Sequence, residues 1–260
     1  MSPKMDYSLL DQPHILRFVF YPRKDWTPPP PNATDHQIPI EQDVSIGCRF
    51  YAVNKNTPSI LYFHGNGEVV YDHDDIAVLY NRIGVNLFVA DYRGYGKSTG
   101  TPSFASMVAD SHVIFKYFKD TLQASGYTGH LFIMGRSLGS LSATELASNY
   151  SKELKGLIIE SGFASTVRLL TYLGGFMGFP FLEEFEKLTL DRIRSITIPA
   201  LIIHGEWDEL IPFEQGEILY QNIGSKDKRL LPIPNAGHND IMLIGMEQYF
   251  EAIRQFVSTS

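Results

Sequence analysis

Between residues 59 and 233, short runs that are apolar at every position alternate with longer stretches whose apolar residues recur every three or four places. A strand that is apolar on both faces has to be covered on both faces, which is the pattern of a parallel sheet between helical layers. The runs predict strands over 59–63, 86–90, 130–134, 156–159, 200–203 and 229–233, the last weakened by Pro232. Helices are expected between and after them, over 75–83, 104–124, 138–150, 213–222 and 246–257. Upstream, 15–21 and 38–51 read as antiparallel strands added at one edge. Pro28, Pro29, Pro30 and Pro31 lack backbone donors and favour an extended path, so they are expected to form a stiff connection between two early strands.

One segment breaks the rhythm. Residues 163–192 crowd Leu169, Leu170, Phe176, Phe179 and Phe185 together, yet Gly174, Gly175, Gly178 and Pro180 interrupt them. A plain crossover helix would not need so many breaks, so the segment reads as a short cap over the strand ends. Phe176 and Phe179 are then expected to line a substrate pocket, because ligands of such sheets bind beyond the carboxyl ends of the strands. At 260 residues the chain lies within the size that α/β folds reach as one domain, and residues 1–260 are expected to form one.

Charge and cysteine content narrow the function. A formal net charge of −7 repels phosphate backbones, so nucleic acid is not an expected partner. The single cysteine, Cys48, allows neither an internal disulfide nor a metal-type Cys/His spacing, and it reads as a small apolar residue in a strand. No metal and no cofactor is expected. The apolar run 15–21 is too short for a signal sequence and contains Arg17, so neither a signal peptide nor a membrane-spanning segment is expected, and the expected location is the cytoplasm.

The chemistry should lie at the strand ends. Gly135, Arg136, Ser137, Leu138 and Gly139 fit G-x-S-x-G, with an apolar strand before them and small residues (Ser140, Ser142, Ala143) after them. That setting suits a nucleophile elbow: a sharp turn with small flanks that lifts Ser137 to a helix N-terminus, where N–H groups favour negative charge. A serine needs a base. His238 follows the last strand on a loop of turn-forming residues, whereas His64 and His204 sit at strand termini and would point into the sheet. The acid that orients the imidazole is expected to be Asp208, just past the fifth strand, with Glu206, Glu209 and Glu160 as rivals. The order Ser, Asp, His is the one this type of sheet uses. The oxyanion should be met by the N–H of Leu138 and that of Asn66, the latter flanked by Gly65 and Gly67.

Together these residues resemble the α/β-hydrolase superfamily from about residue 15 to the end. The peptides at 61–67, 91–98 and 204–208 look like those of serine-aminopeptidase-like hydrolases and α/β-hydrolase-domain depalmitoylases. The resemblance implies an α/β-hydrolase fold with a mostly parallel central sheet, helices on both faces and a short cap. It makes 91–98 a turn that shapes the fold rather than a catalytic group. The membrane-anchored depalmitoylases carry a cysteine-rich N-terminal segment, which this sequence lacks. The expected reaction is hydrolysis of a small acyl ester or thioester through an acyl-enzyme on Ser137. A peptide substrate remains an alternative, that of an aminopeptidase or oligopeptidase; Glu183, Glu184, Glu206 and Glu209 leave its amine-binding requirement open. A non-catalytic ligand-binding module is the third reading, and a dehalogenase is disfavoured because the elbow carries serine rather than aspartate.

Overall fold

The structure, a computed structural model, describes residues 5–166 and 182–259. Its centre is an eight-stranded sheet of β1 (Ala33–Glu41), β2 (Val44–Tyr51), β3 (Ser59–Phe63), β4 (Asn86–Ala90), β5 (Leu131–Arg136), β6 (Gly156–Glu160), β7 (Ala200–Gly205) and β8 (Lys228–Ile233). The spatial order is β1-β2-β4-β3-β5-β6-β7-β8. From β4 to β8 all neighbours run parallel; β1 and β2 form an antiparallel hairpin at one edge. This is the sheet of the expected α/β-hydrolase fold, and the inner strands are buried along their length, as their unbroken apolar runs require.

The helices are α1 (Pro13–Val19), α2 (Asp74–Arg82), α3 (Phe104–Ala124), α4 (Ser140–Asn149), α5 (Leu182–Ser195), α6 (Phe213–Asn222) and α7 (Ile241–Thr259). Strand side chains alternate between two cores. Leu61, Phe88, Ile133, Leu157 and Ile202 face a core shared with α1, α3, α4, α5 and α6. Ile60, Leu87, Met134, Ile158 and Leu201 face the opposite core, against α2 and α7. Burying each such side chain is worth roughly 1.5–3 kcal/mol, so the two-sided pattern holds the strand ends in fixed register. Cys48 is buried in β2, as its sequence context suggests. Among the described residues no helix is long and apolar enough to cross a membrane.

The first expected edge strand is a helix. Pro13 opens α1 at its first position, where its missing N–H costs nothing, and Ile15 and Val19, four residues apart, bury one face. The proline run therefore connects a helix to β1, not two strands. Phe176 and Phe179, expected at the pocket, lie outside the described residues. The distal part of the expected cap is α5, which packs on α4 and α6 within a helical layer and buries Phe185 edge-to-face on Tyr7 at 5.6 Å. Residues 182–192 are thus a covering helix. The last helix starts at Ile241, three residues after His238, and bends at Gly245, where the backbone leaves the helical region (φ −111°, ψ 24°).

Candidate active site

The turn after β5 brings the serine up. β5 ends at Arg136, a single tight turn spans Ser137–Gly139, and α4 continues from Ser140. Ser137 has φ = 51°, a left-handed conformation that costs a non-glycine residue on the order of 1–3 kcal/mol. The turn closes because its flanks are glycines: a Cβ on Gly135 would collide with the Gly139 carbonyl, and one on Gly139 with that of Phe63. Ser140 secures the turn by donating its hydroxyl to the Ser137 carbonyl, 2.7 Å away.

Three distant peptides meet there. His238 Nε2 lies 3.0 Å from Ser137 Oγ, and His238 Nδ1 lies 2.7 Å from Asp208 Oδ2. A carboxylate only accepts, so Nδ1 carries the proton and Nε2 presents its lone pair to the serine. All three residues are buried. Burial alone would raise the Asp208 pKa; His204, His238 and the Ile211 N–H outweigh it and hold the carboxyl far below its usual range. Leu210 and Ile211 donate their N–H groups to Asp208 Oδ1 at 3.0 and 2.7 Å. The rivals fall away for plain reasons. Glu206 and Glu209 are exposed, and Glu160 accepts from Arg136 and from the Tyr249 hydroxyl. His204, at the end of β7, does not reach the serine. Its Nε2 donates to the Ile211 carbonyl at 2.8 Å and lies 3.4 Å from Asp208 Oδ2, backing the carboxylate.

Asn66 and Leu138 line the same cavity as Ser137 and His238, with a volume of about 330 Å³. None of the described residues lining it carries a carboxylate. Its apolar walls come from Phe18, Val19 and Tyr21 at the end of α1 and from Leu210 and Ile211 beyond Asp208. Among the described residues no cluster of His, Cys, Asp and Glu could hold a metal ion.

Sequence reasoning missed the residue that ties the site together. Arg136, the first variable position of the G-x-S-x-G motif, is a buried guanidinium. It pairs with Glu68, donates from Nε to Glu160 at 3.1 Å, and donates from Nη2 to the His238 carbonyl at 2.8 Å and to Asn239 Oδ1 at 3.0 Å. Glu68 in turn accepts the Gly65 N–H at 3.0 Å. One side chain therefore connects the elbow, the Asn66 loop and the His238 loop. Burial opposes the Glu68 carboxylate, but Arg136, aided by His73 and His64, holds its pKa below the ordinary value. At Glu160 burial prevails and pushes the pKa up. A signal existed: Arg136 and Glu160 are register partners on neighbouring parallel strands, opposite charges at matching ends of apolar runs. Replacing Arg136 by Leu leaves the buried Glu160 and the half-buried Glu68 without their cation. The expected loss is about 3–5 kcal/mol of folding stability, read by urea unfolding at pH 7. A loss below about 1 kcal/mol would show that the network does not hold the site.

The fold and these peptides have counterparts among known proteins. A family model described as serine aminopeptidase, S33, matches residues 54–176. Protein bem46 of Schizosaccharomyces pombe is 32% identical over 209 residues, covering 78% of this chain and 68% of that protein. Alpha/beta hydrolase domain-containing protein 17B of Xenopus tropicalis is 33% identical over 221 residues, covering 82% of this chain and 71% of its own. Among solved structures, the Pyrococcus furiosus esterase Pf2001 superposes with a TM-score of 0.72 at 21% identity, covering 91% of this chain and 98% of the other; at that identity the likeness is one of fold.

Proposed function

Because the chain belongs to the α/β-hydrolase superfamily, we propose that it is a serine hydrolase that cleaves carboxylic ester or thioester bonds through an acyl-enzyme on Ser137. The observation that carries this reading is the unbroken line of hydrogen bonds from Asp208 through His238 to Ser137, opening on a cavity. Ser137 Oγ attacks the carbonyl carbon while His238 Nε2 takes its proton. The carbonyl oxygen becomes an anion, met by the N–H groups of Leu138 and Asn66. Asp208 stabilises the imidazolium and keeps its orientation. Collapse of the intermediate breaks the bond to the leaving oxygen or sulfur, which His238 protonates as it departs. A water molecule, deprotonated by the same nitrogen, then attacks the acyl-enzyme and releases the carboxylic acid.

The match to a serine aminopeptidase model keeps peptide cleavage as a second reading. An aminopeptidase must bind its substrate's ammonium group, and the described cavity lining offers no carboxylate for it. The carbonyl chemistry is common to both readings, so substrate preference decides between them. Two measurements test the proposal: labelling by an alkyl fluorophosphonate, and turnover of p-nitrophenyl esters beside aminoacyl anilides. Labelling at Ser137 with ester turnover exceeding that of anilides is expected. Faster anilide cleavage would favour the peptidase, and no labelling of the folded protein would favour a module that binds without catalysis.

A further inference from the structure

The catalytic scheme uses the backbone of Asn66 and leaves its side chain unexplained. That side chain makes three hydrogen bonds. Nδ2 donates to the Val19 carbonyl; Oδ1 accepts from the Tyr21 N–H at 3.1 Å and from the Tyr95 hydroxyl at 2.6 Å. The Tyr95 oxygen also accepts the Tyr21 N–H, at 3.0 Å. Arg23 extends the seam by donating to the Gly67 carbonyl at 3.0 Å. The end of α1 is thus fastened, residue by residue, to the loop whose N–H faces the reacting carbonyl. It brings two aromatic side chains into the cavity that are 38% and 58% exposed, Phe18 and Tyr21. Exposed aromatic surface beside a reactive serine is unfavourable in water and gains by meeting an apolar ligand.

The reaction divides the cavity. A leaving group must stay within reach of His238 Nε2, which protonates it. The elements fastened to that end are the Asp208 loop, with Leu210 and Ile211 bonded to the carboxylate, and Asn239 beside the imidazole. The wall fastened to the oxyanion side is the end of α1. Resting on the ester or thioester reading above, we infer that Phe18, Val19 and Tyr21 form the acyl-binding wall, that Asn66 is the latch holding it, and that the acyl group is an aliphatic chain rather than an aminoacyl group. The apolar wall, and the lack of a carboxylate to receive an ammonium among the described lining residues, set that class.

The test compares p-nitrophenyl acetate and octanoate with the full chain, its Phe18→Ala and Phe18→Leu variants, and Leu210→Ala in the wall fastened to Asp208. In Phe18→Ala the octanoate-to-acetate ratio of kcat/KM is expected to fall about tenfold, with Phe18→Leu restoring most of it. Leu210→Ala should leave that ratio within about threefold. A ratio unmoved by Phe18→Ala, a larger change from Leu210→Ala, or a wild-type protein that ignores octanoate would each overturn the inference. If Phe18→Ala did not fold, Tyr21→Ala, at a more exposed position, supplies the same comparison. Fluorophosphonate labelling separates the two levels of failure. Labelled Ser137 with an unmoved ratio overturns the acyl wall alone; an unlabelled, inactive wild type overturns the hydrolase reading and the wall with it.

Discussion

Ser137→Ala is expected to lower ester turnover by about 10⁴ to 10⁶ while leaving the unfolding midpoint nearly where it was. On the proposed mechanism the attacking oxygen is then gone, and no acyl-enzyme can form. The residual rate expected is the background from carbonyl binding at the proposed oxyanion N–H groups of Leu138 and Asn66. Stability should hardly change, because alanine inherits the same left-handed backbone (φ 51°) and loses only one hydrogen bond, that to His238. Ser137→Gly gives a control on the strain. Glycine adopts that conformation without a Cβ penalty, so it should be more stable than the alanine variant by roughly 1 kcal/mol, although equally inactive. Turnover above a tenth of wild type in purified Ser137→Ala would remove the serine from its role. Equal stability of the alanine and glycine variants would remove the strain from the elbow.

Asp208→Asn should reduce kcat by roughly 10⁴. An amide can turn its NH₂ toward His238 Nδ1 and so favour the tautomer with its proton on Nε2, pointing the wrong way for a base. It also withdraws the charge that offsets the imidazolium. The same substitution reports on pH. The Asp208 pKa is depressed in the folded state, so its charge stabilises the fold above the ordinary carboxylate value, near pH 4, and that contribution drains away as the pH falls below it. The stability gap between wild type and Asp208→Asn should therefore be widest near pH 7 and narrower at about pH 3, as measured by urea unfolding at each. A gap of the same size at both would mean that the variant fails through packing and not through lost charge. Activity retained within tenfold would mean that another acid orients His238; among neighbours, Glu206 and Glu209 are exposed and Glu160 is held by Arg136 and Tyr249.

The sequence alone determined the sheet, the elbow and the order of the three meeting residues. Strands such as Ser59–Phe63 and Gly156–Glu160 are apolar throughout, and only a sheet covered on both faces buries such a run. The elbow was legible because close approach of Gly135 and Gly139 to neighbouring carbonyls leaves glycine as the residue that fits. The end of α1 was misread because a short run with Ile15 and Val19 satisfies both a helix and a strand pattern. Tertiary structure decided what lies between loops distant in the chain. The joining of Arg136 to Glu68, Glu160 and the His238 carbonyl spans up to 102 residues. The fastening of Asn66 to Val19 and Tyr21 spans 47 and 45. Local periodicity records which face of an element is buried; it carries no record of which distant polar group a buried donor meets, because that partner is chosen only when the strand ends are brought side by side.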